Sequence, residues 1–226
     1  MSAARPVEER FVLATANPDK AAEIVEILAG AGVGISLAPR PAHVPDVVED
    51  APTLEDNARL KALALVTATG VPAIADDTGL EVDALDGAPG VHSARFAGPE
   101  ATYADNCAHL LERLVGVPPG DRRARFVTVA IARWPDGREL VAYGAVEGHI
   151  TTEARGDGGF GYDAVFAPAE APGATFAELS AAEKHAISHR GRAFRTLARQ
   201  FAELPDESPG SPEAPGSPAA SRPGTD

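Results

Sequence analysis

Apolar positions along the chain change their period several times, and each change marks an element. RFVLATA is a short apolar run before a polar break, the pattern of a strand feeding a loop. PDKAAEIVEILAGAGV then places apolar residues three and four apart. That predicts a helix opening near Pro18 and stopped by the glycines from Gly30 to Gly34. GISLAP is a second short strand. TLEDNARLKALALVTATG predicts an amphipathic helix with Thr53 as N-cap, Asp56 three places on and Gly70 at its end. VPAIADD is a third strand, and ATYADNCAHLLERLVG another helix. RARFVTVAIARW and ELVAYGAVEGHITTEA are long strands, and the Asp-Gly in PDGR between them is a strong hairpin signal. ATFAELSAAEKHAISHRGRAFRTLARQFAEL closes the pattern with mostly helical periodicity.

Strands and helices alternate first, and a long hairpin follows. This order predicts an α/β layered fold on a mixed sheet rather than a purely doubly wound one. Ligands in such folds gather beyond the carboxyl ends of the parallel strands. From Leu204 to Asp226 the chain reads LPDESPGSPEAPGSPAASRPGTD, with one leucine and no aromatic residue. Such a segment cannot offset its ordering entropy by burial, so a disordered tail is expected over 204–226. One domain is expected over 1–203, its ordered part running from about Arg10 to Phe201.

Composition narrows the chemistry. The 226 residues carry a formal net charge of −13, which excludes a duplex-binding surface but not a nucleotide held in a local cationic pocket. Cys107 is the only cysteine, so neither an internal disulfide nor a cysteine metal cluster is available. No stretch approaches ~18 uninterrupted apolar residues, and the first residues lack a signal-peptide run. A cytoplasmic protein without a membrane partner is the expectation.

Four segments carry candidate chemistry. In LATANPDK a strand ends and a helix begins, so free N–H groups and Lys20 could attract phosphate, although no P-loop is present. From this segment alone, a plain helix cap with a solvated lysine is the favoured reading. Asp76 and Asp77 end the third strand. Alternation sends them to opposite faces, so one should anchor backbone or turn while the other faces a cleft, where it could hold Mg²⁺ or orient water. An Asx turn into TGLEVD is the plainer alternative. Glu49, Asp50, Glu55 and Asp56 lie nearby, mostly as a solvated loop and a helix start. GDGGFGYD offers glycines for close approach and Phe160 and Tyr162 for stacking, or simply a turn with two core aromatics. EKHAISHRGR gathers Lys184, His185, His189, Arg190 and Arg192; a bend at Ser188 would bring Lys184 and His189 together.

In order and spacing, LATANPDKAAEI, TLEDNARLKA, IADDTGLEVDALDGAPGVHSARFAG, GDGGFGYDAVF and ELSAAEKHAISHRGRA resemble the inosine/xanthosine triphosphate pyrophosphatase family, from about Phe11 to Leu197. The resemblance implies hydrolysis of ITP, dITP and XTP to monophosphate and pyrophosphate with Mg²⁺. It also implies an elongated two-lobed α/β fold with a central nucleotide cleft, and a homodimer. Position by position, it implies that Thr15, Ala16, Asn17, Pro18, Asp19 and Lys20 line the triphosphate. Asp77 would be general base and Mg²⁺ ligand, Glu49 a second metal ligand, and Thr78 a substrate contact. Phe160, Gly161, Tyr162 and Asp163 would form the base pocket with Lys184, His189 and Arg190.

The chain departs from the family pattern at Ala16, where glycine is usual, and at Thr78, His92, His185 and Ala164. A left-handed backbone at Ala16 would be uncomfortable. None of the departures removes a charged catalytic group. Two other readings stay open from the residues: a nucleotide-binding regulatory module without turnover, and a related pyrophosphatase for modified pyrimidine nucleotides.

Overall fold

The sheet orders its strands β2-β1-β3-β5-β6-β7, with a short β4 returning onto β3. The computed structural model describes residues 9–204, so all of the tail expected over 204–226 except Leu204 lies outside them. The strands are β1 (Glu9–Leu13), β2 (Ile35–Ala38), β3 (Ala73–Val82), β4 (Pro89–Gly90), β5 (Arg123–Arg133), β6 (Glu139–Ile150) and β7 (Phe166–Pro168). The helices are α1 (Pro18–Ala31), α2 (Leu54–Thr69), α3 (Tyr103–Arg113), α4 (Ala181–Ile187) and α5 (His189–Glu203). β1 runs parallel to β2 and β3, and the remaining pairings are antiparallel. The mixed α/β sheet with flanking helices is therefore as the alternation of elements predicts.

Strand alternation builds the layers. Phe11, Leu13 and Ile74 face α1 and α5, where they meet Ile24, Ile27, Leu28, Phe194 and Leu197. Val12, Ala14, Ala73 and Ala75 face α2, where they meet Ala58, Ala62, Leu65 and Val66. A third core lies at the other end of the long strands, around Leu80, Val82, Leu110, Phe126, Val146, Phe166 and Phe176. β3, β5 and β6 run from one end to the other and tie the cores together.

Local signals end the helices where expected. Asn17 caps α1 by accepting from the Asp19 and Lys20 amides, and left-handed Gly32 closes it. Thr53 caps α2, and Gly70 ends it. Ser188 (φ −68°, ψ 156°) stops α4 and caps α5, the bend that the spacing of Lys184 and His189 requires.

One expectation changes. The third strand does not end at the aspartates in a turn; it runs on to Val82, paired throughout with β5. TGLEV keeps the period of two, burying Leu80 and Val82 against the third core. The following residues form a 3₁₀ turn and bring β4 back onto Leu80 and Glu81. Gly79 permits that return, because a Cβ there would lie 2.8 Å from the Gly90 carbonyl oxygen.

Candidate active site

The site is a gap in the sheet. Among the described residues β1 pairs with β3 only at Ala73 and Ile74, and β4 only at Leu80 and Glu81. Between those partners one edge of β3, from Ala75 to Gly79, faces open space just past the carboxyl end of β1. A cavity of about 680 Å³ occupies this place. Its cationic lining residues are Lys20, Arg40, Lys61, Arg95, Lys184 and Arg190; its acidic ones are Asp46, Glu49, Asp77 and Asp163. Cations therefore outnumber acids here, in a chain whose net charge is −13.

Alternation separates the two aspartates. Asp77 shares the α2 face with Ala75, and its Oδ1 accepts from Lys61 Nζ at 2.9 Å. Asp76 shares the other face with Ile74, where it meets Lys20 of α1 at 3.4 Å and Arg190 of α5 at 3.6 Å. Asp76 is 2% exposed and lies outside the cavity wall. Burial works against its charge, but Lys20, Arg190 and Lys61 outweigh burial and hold its carboxyl down at about 2. Asp77 lines the cavity directly, and so does Thr78 from the opposite face. Thr78 bonds Thr128 at 2.7 Å and receives Arg190 Nη2 at 3.3 Å.

The start of α1 forms part of the cavity wall. Thr15 Oγ1 accepts from the Asn17 amide at 3.1 Å, and Asn17 Oδ1 accepts from the Asp19 and Lys20 amides. Thr15, Ala16, Asn17 and Lys20 line the cavity, and Pro18 and Asp19 are exposed beside them. Ala16 carries no strain, since Asp86 is the one non-glycine residue with positive φ among those described. Burial, with Lys61 and Arg190 close by, lowers the Lys20 pKa against the pull of Asp76.

Joined to the start of α1 through Glu23 of the same helix is a buried ion network. Lys184 Nζ donates to Asp163 at 2.5 Å and to Glu23 at 2.6 Å, and Arg190 Nη1 donates to the other Glu23 oxygen at 2.6 Å. Burial pushes the Asp163 carboxyl above its usual range despite Lys184. Asp163 also accepts from the Phe160 amide at 2.8 Å. The tight turn needs Gly159 (φ 67°), where a Cβ would lie 2.1 Å from the Asp163 carboxylate. Half-buried Phe160 receives both cations on its ring, Lys184 at 4.8 Å and Arg190 at 5.3 Å.

His189 is 2% exposed and stacks on Phe126 at 4.5 Å. Burial first, then the neighbouring cations, drives its pKa well below the ordinary value, and Nδ1 has no partner among the described residues. Tyr162 plays a different part from Phe160. Its ring is buried in the third core, and its hydroxyl donates to the Ser93 carbonyl at 2.8 Å, so it anchors the loop rather than offering a free stacking face.

GLEVDALDGAPGVHSARFAG, which follows the aspartates, walls the far side. Ser93 Oγ accepts from the Leu80 amide and donates to the Gly90 carbonyl. Arg95 Nη2 donates to the Glu49 carbonyl at 2.7 Å, while Asn57 of α2 holds the Ala51 amide. These contacts place Glu49 Oε2 3.4 Å from Lys61 Nζ, so Asp77 and Glu49 converge on one ammonium. Glu55 and Asp56 pair with Arg59 instead and do not line the cavity.

Sequence reasoning did not single out Lys61, Glu23, Arg40, Arg95 or Tyr103. Lys61 had a legible signal: it falls on the buried stripe of α2, three residues from Ala58 and four from Leu65, where a lysine is out of place unless paired. No set of three or more His, Cys, Asp or Glu residues poised to hold a metal occurs among the described residues. The Asp77–Glu49 pair still suits a hard cation that takes one or two carboxylates and completes its shell with substrate phosphates.

The sequence profile of the Ham1 family matches residues 11–200. A dITP/XTP pyrophosphatase from Streptomyces coelicolor is 46% identical over 197 residues, covering 86% of this chain and 98% of that protein. An enzyme of the same name from Thermus thermophilus is 46% identical over 197 residues, covering 87% and 93%. Among solved structures, a HAM1 protein from Coxiella burnetii superposes with a TM-score of 0.78 at 40% identity, covering 87% of this chain and all of that one. A nucleoside-triphosphatase described as a dITP/XTP pyrophosphatase from Mycobacterium abscessus gives 0.66 at 41% identity, covering 83% and 97%. Profile, sequence and fold agree, and the chain belongs to the Ham1 family.

Proposed function

We propose that this protein hydrolyses the triphosphates of deaminated purines, ITP, dITP and XTP, to the monophosphate and pyrophosphate. The carrying observation is the cavity itself. It joins a helix start with Lys20, a strand edge with Asp77 and Thr78, and an aromatic ring flanked by Lys184 and Arg190. Relatives that bear the name dITP/XTP pyrophosphatase support the same reading.

The triphosphate lies along the start of α1, where the positive end of the helix dipole and the Lys20 ammonium meet its charge. Water attacks the α-phosphorus, the bond to the bridging oxygen breaks, and pyrophosphate leaves. Asp77 orients that water and accepts its proton, while Lys61 holds the carboxylate in place. Lys20 balances charge developing on the leaving side. Asp77 and Glu49 would hold Mg²⁺, which supplies charge neutralisation on the phosphates when bound.

The base lies against Phe160. Hypoxanthine and xanthine present a 6-oxo acceptor and an N1–H donor. Lys184, Arg190 and neutral His189 supply donors to the first, and Asp163 an acceptor for the second. Adenine reverses that pattern and leaves buried groups unpaired, at about 1–3 kcal/mol each. The reading includes a homodimer, and exposed Leu60, Leu63 and Tyr143 offer apolar surface for a second copy; light scattering checks it. The activity is tested by a panel of ITP, dITP, XTP, ATP, GTP and dTTP with pyrophosphate detection. The deaminated purines should lead; a preference for ATP or dTTP overturns the reading.

A further inference from the structure

Tyr103 is the first residue of α3, and its position is fixed by the Thr102–Asp105 capping box beneath it. Its side chain reaches across to residues far away in sequence. The phenol oxygen accepts from Asn17 Nδ2 at 2.8 Å and donates toward Asp19 Oδ2 at 3.3 Å. The ring lies 5.8 Å from the Phe160 ring at an angle of 41°. Tyr103 lines the cavity and is 43% exposed, so it stands at the rim.

The contacts are specific in what they connect. Asn17 is the residue whose Oδ1 caps α1 and keeps the Asp19 and Lys20 amides in place. Donation from Nδ2 to the phenol fixes which end of the Asn17 amide faces the helix. Phe160 is the ring on which Lys184 and Arg190 converge. One side chain therefore touches both the anion-binding helix start and the aromatic wall of the cavity.

We propose that Tyr103 is a positioning residue for the reaction, a latch that joins the phosphate-binding start of α1 to the base-stacking ring of Phe160 across the cavity rim. The proposal rests on the functional reading above. The phenol sets the Asn17 amide, which aims the helix start at the phosphates, and the ring braces Phe160 against the base. Both ends of the nucleotide are held in register by a residue that touches neither reacting atom.

The test uses the full chain with Tyr103→Phe and Tyr103→Ala, read by steady-state kinetics and by amide hydrogen exchange without nucleotide. Tyr103→Phe keeps the ring and loses two hydrogen bonds. It should speed exchange at the Asp19 and Lys20 amides and raise KM for ITP about threefold to tenfold, with kcat kept within roughly twofold. Tyr103→Ala should also speed exchange at the Phe160 amide and raise KM further, about tenfold or more. A lower melting temperature with unchanged KM would mean a merely structural role and overturns the proposal, as does unchanged exchange in Tyr103→Ala. If the wild-type protein releases no pyrophosphate from ITP, the functional reading fails by itself, and the exchange experiment alone decides the latch.

Discussion

Asp77 and Thr78 are neighbours on one strand, point to opposite faces of the sheet, and line the same cavity. They can do so because β1 ends and β4 has not yet begun, which leaves that edge of β3 open. Asp77 is the carboxylate on the cavity side, and Lys61 holds it. Asp77→Asn should therefore lower kcat on ITP by about a hundredfold to ten-thousandfold, the range of a lost general base, with the circular-dichroism spectrum unchanged. Near-normal turnover would remove Asp77 from that role.

Asp76 makes a prediction about acid. Its folded pKa of about 2 lies below the ordinary 3.8, so the charged form is favoured by folding. The stabilisation is fully present above about pH 4 and disappears as pH falls through about 2. It amounts to about 2 kcal/mol. Urea unfolding across this window should show the wild type losing that much, and Asp76→Asn should lack this part of the slope.

His189 should stay neutral throughout the physiological range. Burial and the adjacent cations hold its pKa well below the usual value. Its ring resonances should show no titration between pH 6.5 and pH 8 by nuclear magnetic resonance. A midpoint inside that range would contradict the described packing against Phe126.

Gly79→Ala should disturb the wall of the site from the core side. The new Cβ meets a backbone carbonyl, at 2.8 Å from Gly90 O, and backbone cannot swing away as a flexible side chain would. A loss of about 1–3 kcal/mol is expected, measured by thermal unfolding. Because β4 leads into Ser93 and Arg95, KM for ITP should rise as well. Unaltered stability would show that the return of β4 is loosely held.

Most of the architecture was legible because local rules agree with the tertiary result. Asn17, Thr53 and Ser188 cap helices as their side chains dictate, and Asp-Gly turns the long hairpin. The extent of β3 is hidden because two adjacent aspartates before TGLEVD read as an Asx turn, whereas the strand runs on through Gly79, which admits a close carbonyl. The opposite faces of Asp76 and Asp77 followed from alternation, but the gap that lets Asp77 and Thr78 share a cavity depends on where β1 stops, a tertiary fact. The EKHAISHRGR segment announced a cationic cluster. Glu23, which joins Lys184 to Arg190 from a helix far away in sequence, left no comparable local mark. The GLEVDALDGAPGVHSARFAG stretch had no account from its own residues because its contacts with Glu49 and Tyr162 are long-range.

The central claim is attack of water on the α-phosphorus. It is tested most directly by hydrolysing ITP in water enriched in heavy oxygen and locating the label by mass spectrometry. The account predicts label in the inosine monophosphate and none in the pyrophosphate. Label in the pyrophosphate, or release of labelled orthophosphate, would contradict it.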